Sequence, residues 1–435
     1  MNRKIIAGLG ALALTASMAL AVPVSAGAEV YEPIHGETVS FDKYLVMKNT
    51  SNVPNVSFSF TVEPIKKRIP ADATVDPRAL AVEKGPTGIK FAAGNGVTLN
   101  NATKATATFS GETAVHAEKD KASKSLVFAT PADTTDEKFA EITLTLDLTG
   151  VTFTQPGIYR YKITELPTVY AGVTCDPTED RYLDVYVFDD SDEDGNDFLF
   201  VSGYSVHTGT EAPRYGQKDM SKKSTGFCNR FDANALRFEK KVTGNQGSRD
   251  KYFKFTVALT DPDGLPLSDN DVFTISGDWD RTPEQHFGTS YTAAEMASND
   301  VSMLTYADLK NGYDFYLQDG QYIQLDSIHS GLGYVLTEVQ EDYIPAAALT
   351  GDVKTGDGNS EGEAIAAEIQ AGRTCVVKDS FLKQDTQIRI TNDNSGDIPT
   401  GVLTTVAGSA GIAAIGLAGI AAGVLFLRKK HGEDE

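Results

Sequence analysis

The sequence predicts an all-β fold, arranged as two immunoglobulin-like β-sandwich domains in tandem. The first observation is a series of short segments that alternate apolar and polar residues or are rich in β-branched and aromatic residues, with Gly, Pro, Asp and Asn between them. The second is that helical periodicity is scarce, and residues 362–372 are the best candidate for a helix. The third is that three segments occur twice in the same order. The clearest strand segments are residues 141–148, 182–188, 198–206, 252–259 and 323–328.

The repeated segments divide the chain into two predicted domains. The three pairs are VSFDKYL (39–45) with LRFEKKV (236–242), GIYRYKITE (157–165) with GYVLTE (333–338), and GFCNRF (226–231) with IRITND (388–393). We therefore predict a first domain at residues 29–233 and a second domain at residues 234–395. Residues 66–140, which are rich in Ala, Thr, Gly and Lys, are expected to add loops to the first domain.

The first residues of the chain have the pattern of a secretory signal peptide. Arg3 and Lys4 precede an apolar run over residues 5–21, and small residues suited to cleavage follow at 24–28. We predict that residues 1–28 are removed and that the rest of the chain is exported.

The last residues have the pattern of a membrane anchor. Residues 402–427 carry no charge and are long enough to span a bilayer as a transmembrane helix, because such a span needs about 20 apolar residues. Arg428, Lys429 and Lys430 follow directly, as expected on the cytoplasmic side. We predict that the precursor is anchored in the membrane by this helix.

A five-residue motif stands directly before the anchor. Asp397, Ile398, Pro399, Thr400 and Gly401 form the sequence DIPTG, which resembles the sorting signal of Gram-positive surface proteins. The resemblance implies that a sortase cuts between the threonine and the glycine and joins the threonine carboxyl group to an amine. Isoleucine stands where the usual signal has leucine, which leaves the class of sortase open. We predict that residues 396–435 form the complete sorting signal.

Composition excludes several classes of function. The formal net charge is −21, which argues against nucleic acid and anionic membranes as partners. The six histidines have no metal-ligand spacing, no phosphate-binding loop is visible, and neither a metal nor another cofactor is expected. The acidic stretch 190–195 partly fits a calcium loop, but flanking strands favour a hairpin turn. Three cysteines cannot all pair, and a Cys175–Cys228 disulfide and free thiols both stay open, as does the state of Cys375.

Each predicted domain presents three polar residues on apolar strand faces. Side chains at i, i+2 and i+4 of a strand share a face, so the repeated segments place one Lys, one Glu and one Asn toward each core. The residues are Lys43, Glu165 and Asn229 in the first domain and Lys240, Glu338 and Asn392 in the second. Any one of these polar residues could instead lie at a strand end that has left the core. The same triple in the same order twice favours a shared chemical role.

The chemistry open to these three groups is amide formation. Burial favours a neutral lysine amine and a protonated glutamic acid. The amine can attack the asparagine carboxamide and release ammonia, while the glutamic acid polarises the carboxamide and transfers protons. The product is an internal isopeptide bond. Because the reaction turns over once, the protein is not expected to be an enzyme in the usual sense.

Several longer segments, which lie within residues 37–401, resemble the isopeptide-containing domains of streptococcal backbone (T-antigen type) pilins. They are FTQPGIYRYKITE, GVTCDPTEDRYLDVYVF, LRFEKKVTGNQGSRDKYFKFTV, FYLQDGQYIQLDSIHSGLGYVLTE and ITNDNSGDIPTG. The resemblance implies that the lysine and asparagine of each triple form the bond and that Glu165 and Glu338 catalyse it. It also implies a surface lysine that accepts the next subunit, and DMSKKSTGFCN places Lys222 there, with Lys218 and Lys223 as rivals.

The resemblance implies a covalent shaft subunit of a cell-surface pilus. Thr400 of one subunit would be joined to Lys222 of another, giving fibres attached to cell-wall peptidoglycan. Expected partners are identical subunits and sortase, and tip pilins, base pilins and host surface ligands stay open. The alternative is a monomeric wall-anchored adhesin or stalk, whose ligand-binding module would have room only in residues 66–140. A wall hydrolase lacks any visible catalytic grouping.

Overall fold

A computed structural model describes the chain in several stretches. They are residues 31–65, 82–117, 125–128, 136–209, 223–284, 289–339, 342–349, 368–370, 374–379, 382 and 384–396. Their regular secondary structure is almost entirely β-strand, with only short helical turns, so the predicted all-β class is confirmed. We keep the names first domain and second domain for the predicted ranges 29–233 and 234–395.

The first domain is built from two large sheets. Its strands are β1 (Ile34–His35), β2 (Thr38–Lys48), β3 (Ser57–Pro64), β4 (Val82–Lys84), β5 (Lys90–Ala92), β6 (Val97–Asn101), β7 (Lys104–Thr108), β8 (Val115–Ala117), β9 (Glu137–Asp147), β10 (Thr152–Phe153), β11 (Gly157–Glu165), β12 (Val173–Thr174), β13 (Asp180–Ser191), β14 (Asp197–His207) and β15 (Gly226–Phe231). One sheet has the order β14-β13-β11-β3-β7-β6, with β4 added to β11. The other has the order β12-β15-β2-β9-β5, with β8 added to β9. Strands β1 and β10 form a separate pair.

The second domain repeats this plan with fewer strands. Its strands are β16 (Ala233–Thr243), β17 (Phe253–Thr260), β18 (Val272–Asp278), β19 (Met303–Thr305), β20 (Tyr313–Leu317), β21 (Tyr322–His329), β22 (Gly333–Val339), β23 (Ile344–Leu349), β24 (Glu368–Gln370), β25 (Thr374–Asp379) and β26 (Thr386–Asp393). The sheets have the orders β19-β18-β21-β16-β26-β23 and β20-β17-β22-β25-β24. Two short helices, α1 (Ala293–Met296) and α2 (Tyr306–Leu309), begin at threonine caps. A 3₁₀ turn, Ala297–Asn299, follows α1.

Alternation along the strands explains the sandwich in each domain. In β17 every second residue is buried, beginning with Phe253, and the residues between are half-buried. Apolar side chains from both sheets of a domain meet in one core cluster, because each sheet has one face to remove from water. The core changes between Ala233 and Leu236, which lie next to the predicted domain limit.

In each domain the first long strand and the last strand are neighbours and run parallel. Strand β15 pairs with β2, and strand β26 pairs with β16. Such a pair brings together residues that lie far apart in the sequence. This arrangement sets the position of the candidate site described below.

A buried polar junction joins the two domains. Asp271 of the second domain accepts hydrogen bonds from the Asn55 backbone N–H at 2.7 Å and from the Tyr170 hydroxyl at 2.5 Å. His329 is buried beside them, and its ring packs edge-on against Phe231 with centroids 4.8 Å apart. The first domain thus contacts the second through hydrogen bonds and aromatic packing.

Two local predictions have different outcomes. The acidic stretch 190–195 is confirmed as part of a hairpin: its first two residues end β13, and the turn to β14 that follows contains Gly195 with φ +79°. The helix predicted at 362–372 is wrong where the structure describes it, since Glu368–Gln370 is a strand paired with β25. That pairing supplies backbone hydrogen bonds that override a local helical preference.

The predicted signal peptide (1–28), the transmembrane helix and the motif 397–401 lie outside the described residues. Within the described part of the chain, none of the helices is long and apolar enough to cross a membrane.

Candidate functional site

The first candidate site lies in the core between the two sheets of the first domain. Lys43 lies on β2 and is fully buried. Asn229 lies on the neighbouring strand β15, where its register partner is Leu45, so its side chain stands diagonally across from Lys43. Glu165 ends β11 in the opposite sheet, beside Phe60 of β3. The sequence thus places the three groups on three strands that meet at one point of the core.

These three side chains are in hydrogen-bond contact. The Lys43 ammonium donates to Glu165 Oε1 at 3.0 Å and to Oε2 at 2.9 Å. Asn229 Nδ2 donates to the same Oε1 atom at 2.6 Å. The Asn229 carbonyl oxygen accepts from the backbone N–H of Asp176 at 2.7 Å. The carboxamide is therefore held from both sides, with its nitrogen toward the glutamate.

The second site repeats this arrangement with the same strand offset. Lys240 lies on β16, and Asn392 on β26 has Val242 as its register partner, two residues beyond the lysine as in the first site. The Lys240 ammonium and Asn392 Nδ2 both donate to Glu338 Oε1, at 2.5 Å and 3.0 Å. All three side chains are fully buried.

Burial moves Lys43, Lys240 and Glu338 toward their neutral forms. Removal from water lowers the pKa of Lys43, and the nearby carboxylate of Glu165 opposes the shift. It lowers the pKa of Lys240 to about 8, against the opposing effect of Glu338. It also raises the pKa of Glu338, which the charge of Lys240 opposes. A neutral amine beside a protonated carboxyl group is the state that amide formation requires.

Aromatic rings close both sites from the side. The Lys43 ammonium lies 4.4 Å from the ring centroid of Phe58, and the Lys240 ammonium lies 4.3 Å from that of Phe253. Such rings exclude water and stabilise a cation until the proton is lost. The alternative interpretation, in which these polar residues lie at strand ends outside the core, is wrong for all six, because every one is at most 3% exposed.

Comparison with known proteins adds an independent finding. Residues 45–231 match the family model of the Spy0128-like isopeptide containing domain, and residues 234–372 match a Domain of unknown function (DUF7601). A curated protein called "Pilin", from Streptococcus pyogenes serotype M1, is 29% identical over 408 residues, covering 92% of this chain and 94% of that protein. The chain resembles streptococcal pilins. The resemblance predicted from the sequence is thereby confirmed.

Two solved pilin structures are also similar to the chain. The major pilin protein (T-13) from Streptococcus pyogenes serotype GAS131465 is 21% identical, with a TM-score of 0.42, covering 84% of this chain and 100% of that chain. The major pilin from Streptococcus pyogenes is 22% identical, with a TM-score of 0.43, covering 83% of this chain and 100% of that chain.

The range that matches the isopeptide containing domain includes most of the first site. Glu165 and Asn229 lie within residues 45–231, and Lys43 lies two residues before that range. Lys240 and Glu338 lie within the second matched range, and Asn392 lies beyond it. The roles of the six residues in bond formation stay predictions.

The predicted subunit linkage lies largely outside the described residues. Lys218, Lys222 and Thr400 are among the residues that the structure does not describe. Lys223 is described and exposed, and it forms an isolated β-bridge with His207. Lys241, the neighbour of Lys240, points away from the core and pairs with Asp319 at 3.1 Å, as its position on the opposite strand face predicts.

The three cysteines are all described, and none of them forms a disulfide. Of the two alternatives left open by the sequence, the structure therefore has thiols and no Cys175–Cys228 disulfide. The Cys175 thiol donates to the Thr168 carbonyl at 3.4 Å. Cys375 is buried opposite Glu338 in the β22–β25 pair, and burial raises its pKa to about 11.

Sequence reasoning missed three contributors to the sites. Phe58 and Phe253 stand in the segments SFSF and YFKF, whose aromatic alternation marks them as core residues but not as neighbours of a lysine. Asp176 lies in a loop and contributes through its backbone N–H, which carries no residue-specific signal. Only the fold brings these groups to the lysine and the asparagine.

Proposed function

We propose that the protein is a pilus shaft subunit whose two domains are each closed by an internal Lys–Asn isopeptide bond. One observation carries the proposal: two buried Lys–Glu–Asn clusters occur at the same strand offset in both domains. A structural ion pair needs no carboxamide beside it. Burying polar and charged side chains costs free energy, and the same three residue types are buried together in both domains, which favours a shared reaction.

The reaction in each domain is a single amide exchange. The neutral lysine amine attacks the asparagine Cγ atom, and a new C–N bond forms while the bond from Cγ to Nδ2 breaks. The glutamic acid transfers a proton from the attacking nitrogen to the leaving nitrogen, which departs as ammonia. Close placement in a dry core supplies a high effective concentration of the amine. No cofactor takes part, and the glutamic acid is regenerated after the one turnover.

Peptide mapping of the full chain by mass spectrometry tests this reaction. We expect one peptide pair joined through Lys43 and Asn229 and another through Lys240 and Asn392, each with the loss of one ammonia molecule. Unjoined peptides from folded protein would contradict the proposal and leave the six residues as ordinary buried polar groups.

We further propose that sortase joins these subunits into a fibre. The support is the DIPTG motif at 397–401 before an apolar segment and a basic tail, together with the similarity to a streptococcal pilin. Thr400 is the proposed acyl donor and Lys222 the proposed acceptor, with Lys218 and Lys223 as rivals. The exported subunit would be held in the membrane by residues 402–427 until transfer, and the fibre would then be attached to peptidoglycan.

Cell-wall extracts of the producing organism test the linkage. Lys222→Ala is expected to abolish the ladder of covalent multimers, and the matched control Lys241→Ala is expected to leave it intact. Ladders that persist after Lys218, Lys222 and Lys223 are all replaced would overturn the acceptor assignment. A protein that never forms ladders, with both internal bonds intact, would favour the monomeric adhesin or stalk.

A further inference from the structure

The carboxamide of Asn229 has a fixed orientation in the first domain. Its oxygen accepts from the Asp176 backbone N–H at 2.7 Å, and its nitrogen donates to Glu165 Oε1 at 2.6 Å. A backbone nitrogen can only donate, so the atom facing it must be the oxygen. The leaving nitrogen therefore faces the proton donor, and the carbonyl oxygen faces a second, separate donor.

This second donor lies where negative charge develops. When the Lys43 amine adds to Asn229 Cγ, the carbonyl oxygen gains the negative charge of a tetrahedral intermediate. Glu165 then protonates the departing nitrogen and takes up a proton from the Lys43 nitrogen, ammonia leaves, and the carbonyl re-forms. A preorganised N–H at hydrogen-bond distance from such an oxygen stabilises the transition state without reorganisation. The glutamic acid, which contacts the nitrogen, does not fill this role.

The side chain of Asp176 fixes the loop that carries this N–H. Its Oδ2 atom accepts from the Cys228 backbone N–H at 2.8 Å and from Arg181 Nη2 at 2.7 Å. Its Oδ1 atom accepts from the Thr178 backbone N–H at 2.8 Å. Pro177 follows directly and disfavours the helical conformation at Asp176. The carboxylate is thus tied both to the strand that carries Asn229 and to the loop itself.

Arg181 completes this arrangement. Its guanidinium is almost fully buried and lies 4.5 Å from the ring centroid of Phe227, two residues before Asn229. Its Nε atom donates to the Gly226 carbonyl at 2.9 Å, and its Nη1 atom donates to the Thr178 carbonyl at 2.6 Å. The arginine therefore connects the start of β15 to the loop. Its buried positive charge is stabilised by hydrogen bonds to these two carbonyl groups and to the Asp176 carboxylate.

We propose that the Asp176 backbone N–H is the oxyanion donor for the Lys43–Asn229 bond, and that the Asp176 carboxylate and Arg181 are positioning groups that aim it. The inference rests on the proposed isopeptide reaction. Among the described residues, the equivalent oxygen of Asn392 has no hydrogen-bond donor, so this oxyanion donor is assigned to the first domain alone.

Three substitutions at one position separate the N–H from the carboxylate. Asp176→Ala removes the carboxylate and keeps the N–H, Asp176→Pro removes both, and Asp176→Asn keeps a side-chain oxygen that can accept from Cys228. The full chain is pulse-labelled and sampled over time, and the Lys43–Asn229 peptide is quantified against the Lys240–Asn392 peptide. The second domain of the same molecules thereby serves as the internal control.

The expected rates follow from what each variant retains. Asp176→Pro is expected to form the first bond roughly 100-fold more slowly than Asp176→Ala, since loss of one oxyanion donor costs about 10²–10³ in rate. Asp176→Asn is expected to lie closer to the unsubstituted chain than Asp176→Ala does. The rate of the second bond is expected to be unchanged in all three variants.

Each other outcome is decisive. Equal rates for Asp176→Pro and Asp176→Ala in folded protein would overturn the donor assignment. If Asp176→Pro does not fold, equal rates for Asp176→Ala, Asp176→Asn and the unsubstituted chain would overturn the positioning role and the proposal with it. A first bond that never forms in the unsubstituted chain would overturn the proposed reaction itself, which the peptide map distinguishes from a slow bond in one variant.

Discussion

At the residue scale, each site places an amine, a carboxyl group and a carboxamide in hydrogen-bond contact inside a protein core. Glu338 Oε1 accepts from both Lys240 and Asn392, so a single oxygen atom links the attacking and leaving nitrogens. A glutamic acid in that position can take a proton from one nitrogen and deliver it to the other. Its burial raises its pKa, which keeps a proton available for the transfer.

Removing the carboxyl group is expected to stop the reaction only in its own domain. Glu165→Gln keeps the size of the side chain but cannot transfer the proton, and Glu338→Gln does the same in the second domain. Peptide mapping of each variant should show the loss of one isopeptide bond and the retention of the other. Loss of both bonds from one substitution would contradict the independence of the two sites, and loss of neither would contradict the catalytic role of the glutamic acid.

His329 at the domain junction is expected to make stability depend on pH. Burial lowers its pKa from 6.5 to about 4, against the opposing effect of Asp271. Between these pH values the unfolded chain binds a proton at this histidine that the folded protein does not. The contribution of His329 to the free energy of unfolding is therefore fully present above pH 6.5 and falls as the pH drops toward 4. The loss amounts to about 3 kcal/mol, since one pKa unit is worth about 1.4 kcal/mol.

Denaturant titrations between pH 4 and 7 measure this effect. The variant His329→Gln, which stays neutral, should show a shallower loss of unfolding free energy than the unsubstituted protein over that range. Identical slopes for the variant and the unsubstituted protein would show that the junction histidine does not titrate as expected.

At the element scale, the parallel pair of β2 and β15 determines whether the first site can form. A Cβ atom at Gly226 would lie 1.7 Å from the Asp42 carbonyl oxygen, so only glycine permits this close approach. The same glycine accepts the Arg181 hydrogen bond on its own carbonyl. The start of β15 is therefore fitted to β2 at backbone contact.

Gly226→Ala is expected to push β15 away from β2. The two strands carry Asn229 and Lys43, so the bond between them should form much more slowly, and folding should be destabilised by several kcal/mol, at the upper end of single-residue effects. Gly203→Ala in β14 is the matched control, because a Cβ atom there meets nothing within 4 Å. Peptide mapping and thermal unfolding measure both effects. Normal bond formation in Gly226→Ala would show that the contact can relax.

The strand pattern of the sequence predicts the sites far better than it predicts what surrounds them. Alternation assigns Lys43 and Lys240 to core faces because neighbouring apolar residues two positions away define those faces. The Asp176 N–H and the junction at Asp271 depend on loops folded against distant strands, which no local period encodes. The strand at Glu368–Gln370 likewise exists through its pairing with β25. The local sequence pattern therefore predicts which face of a strand is buried, whereas contacts between distant segments determine the loop positions and this strand.

At the scale of the whole molecule, the proposed bonds limit how far the protein can be stretched. Lys43 and Asn229 are 229 − 43 = 186 residues apart, and their strands are adjacent. A bond between them removes the enclosed chain from any extension. It also lowers the entropy of the unfolded state, by about 5 kcal/mol if a disulfide model for long loops applies.

Pulling single molecules from their two ends tests this limit. The protein with both bonds should show no unfolding step in either domain, whereas Glu165→Gln should release about 600 Å of chain from the first domain, at roughly 3.4 Å per residue. The second domain of that variant should stay closed and serves as the control. A release of that length from the unsubstituted protein would mean that the first bond is not formed.

The parallel pairing of the first and last strands also has a consequence for direction. Because β15 runs the same way as β2, the chain arrives at one pole of the first domain and departs from the other, and β26 with β16 repeats this in the second. An antiparallel pair would return the chain to the pole where it started. In the proposed fibre, where Thr400 of one subunit would be joined to a lysine of the next, the linkage itself would make the two ends unlike. Strand direction would add that a pull along the fibre enters each domain at one pole and leaves at the other.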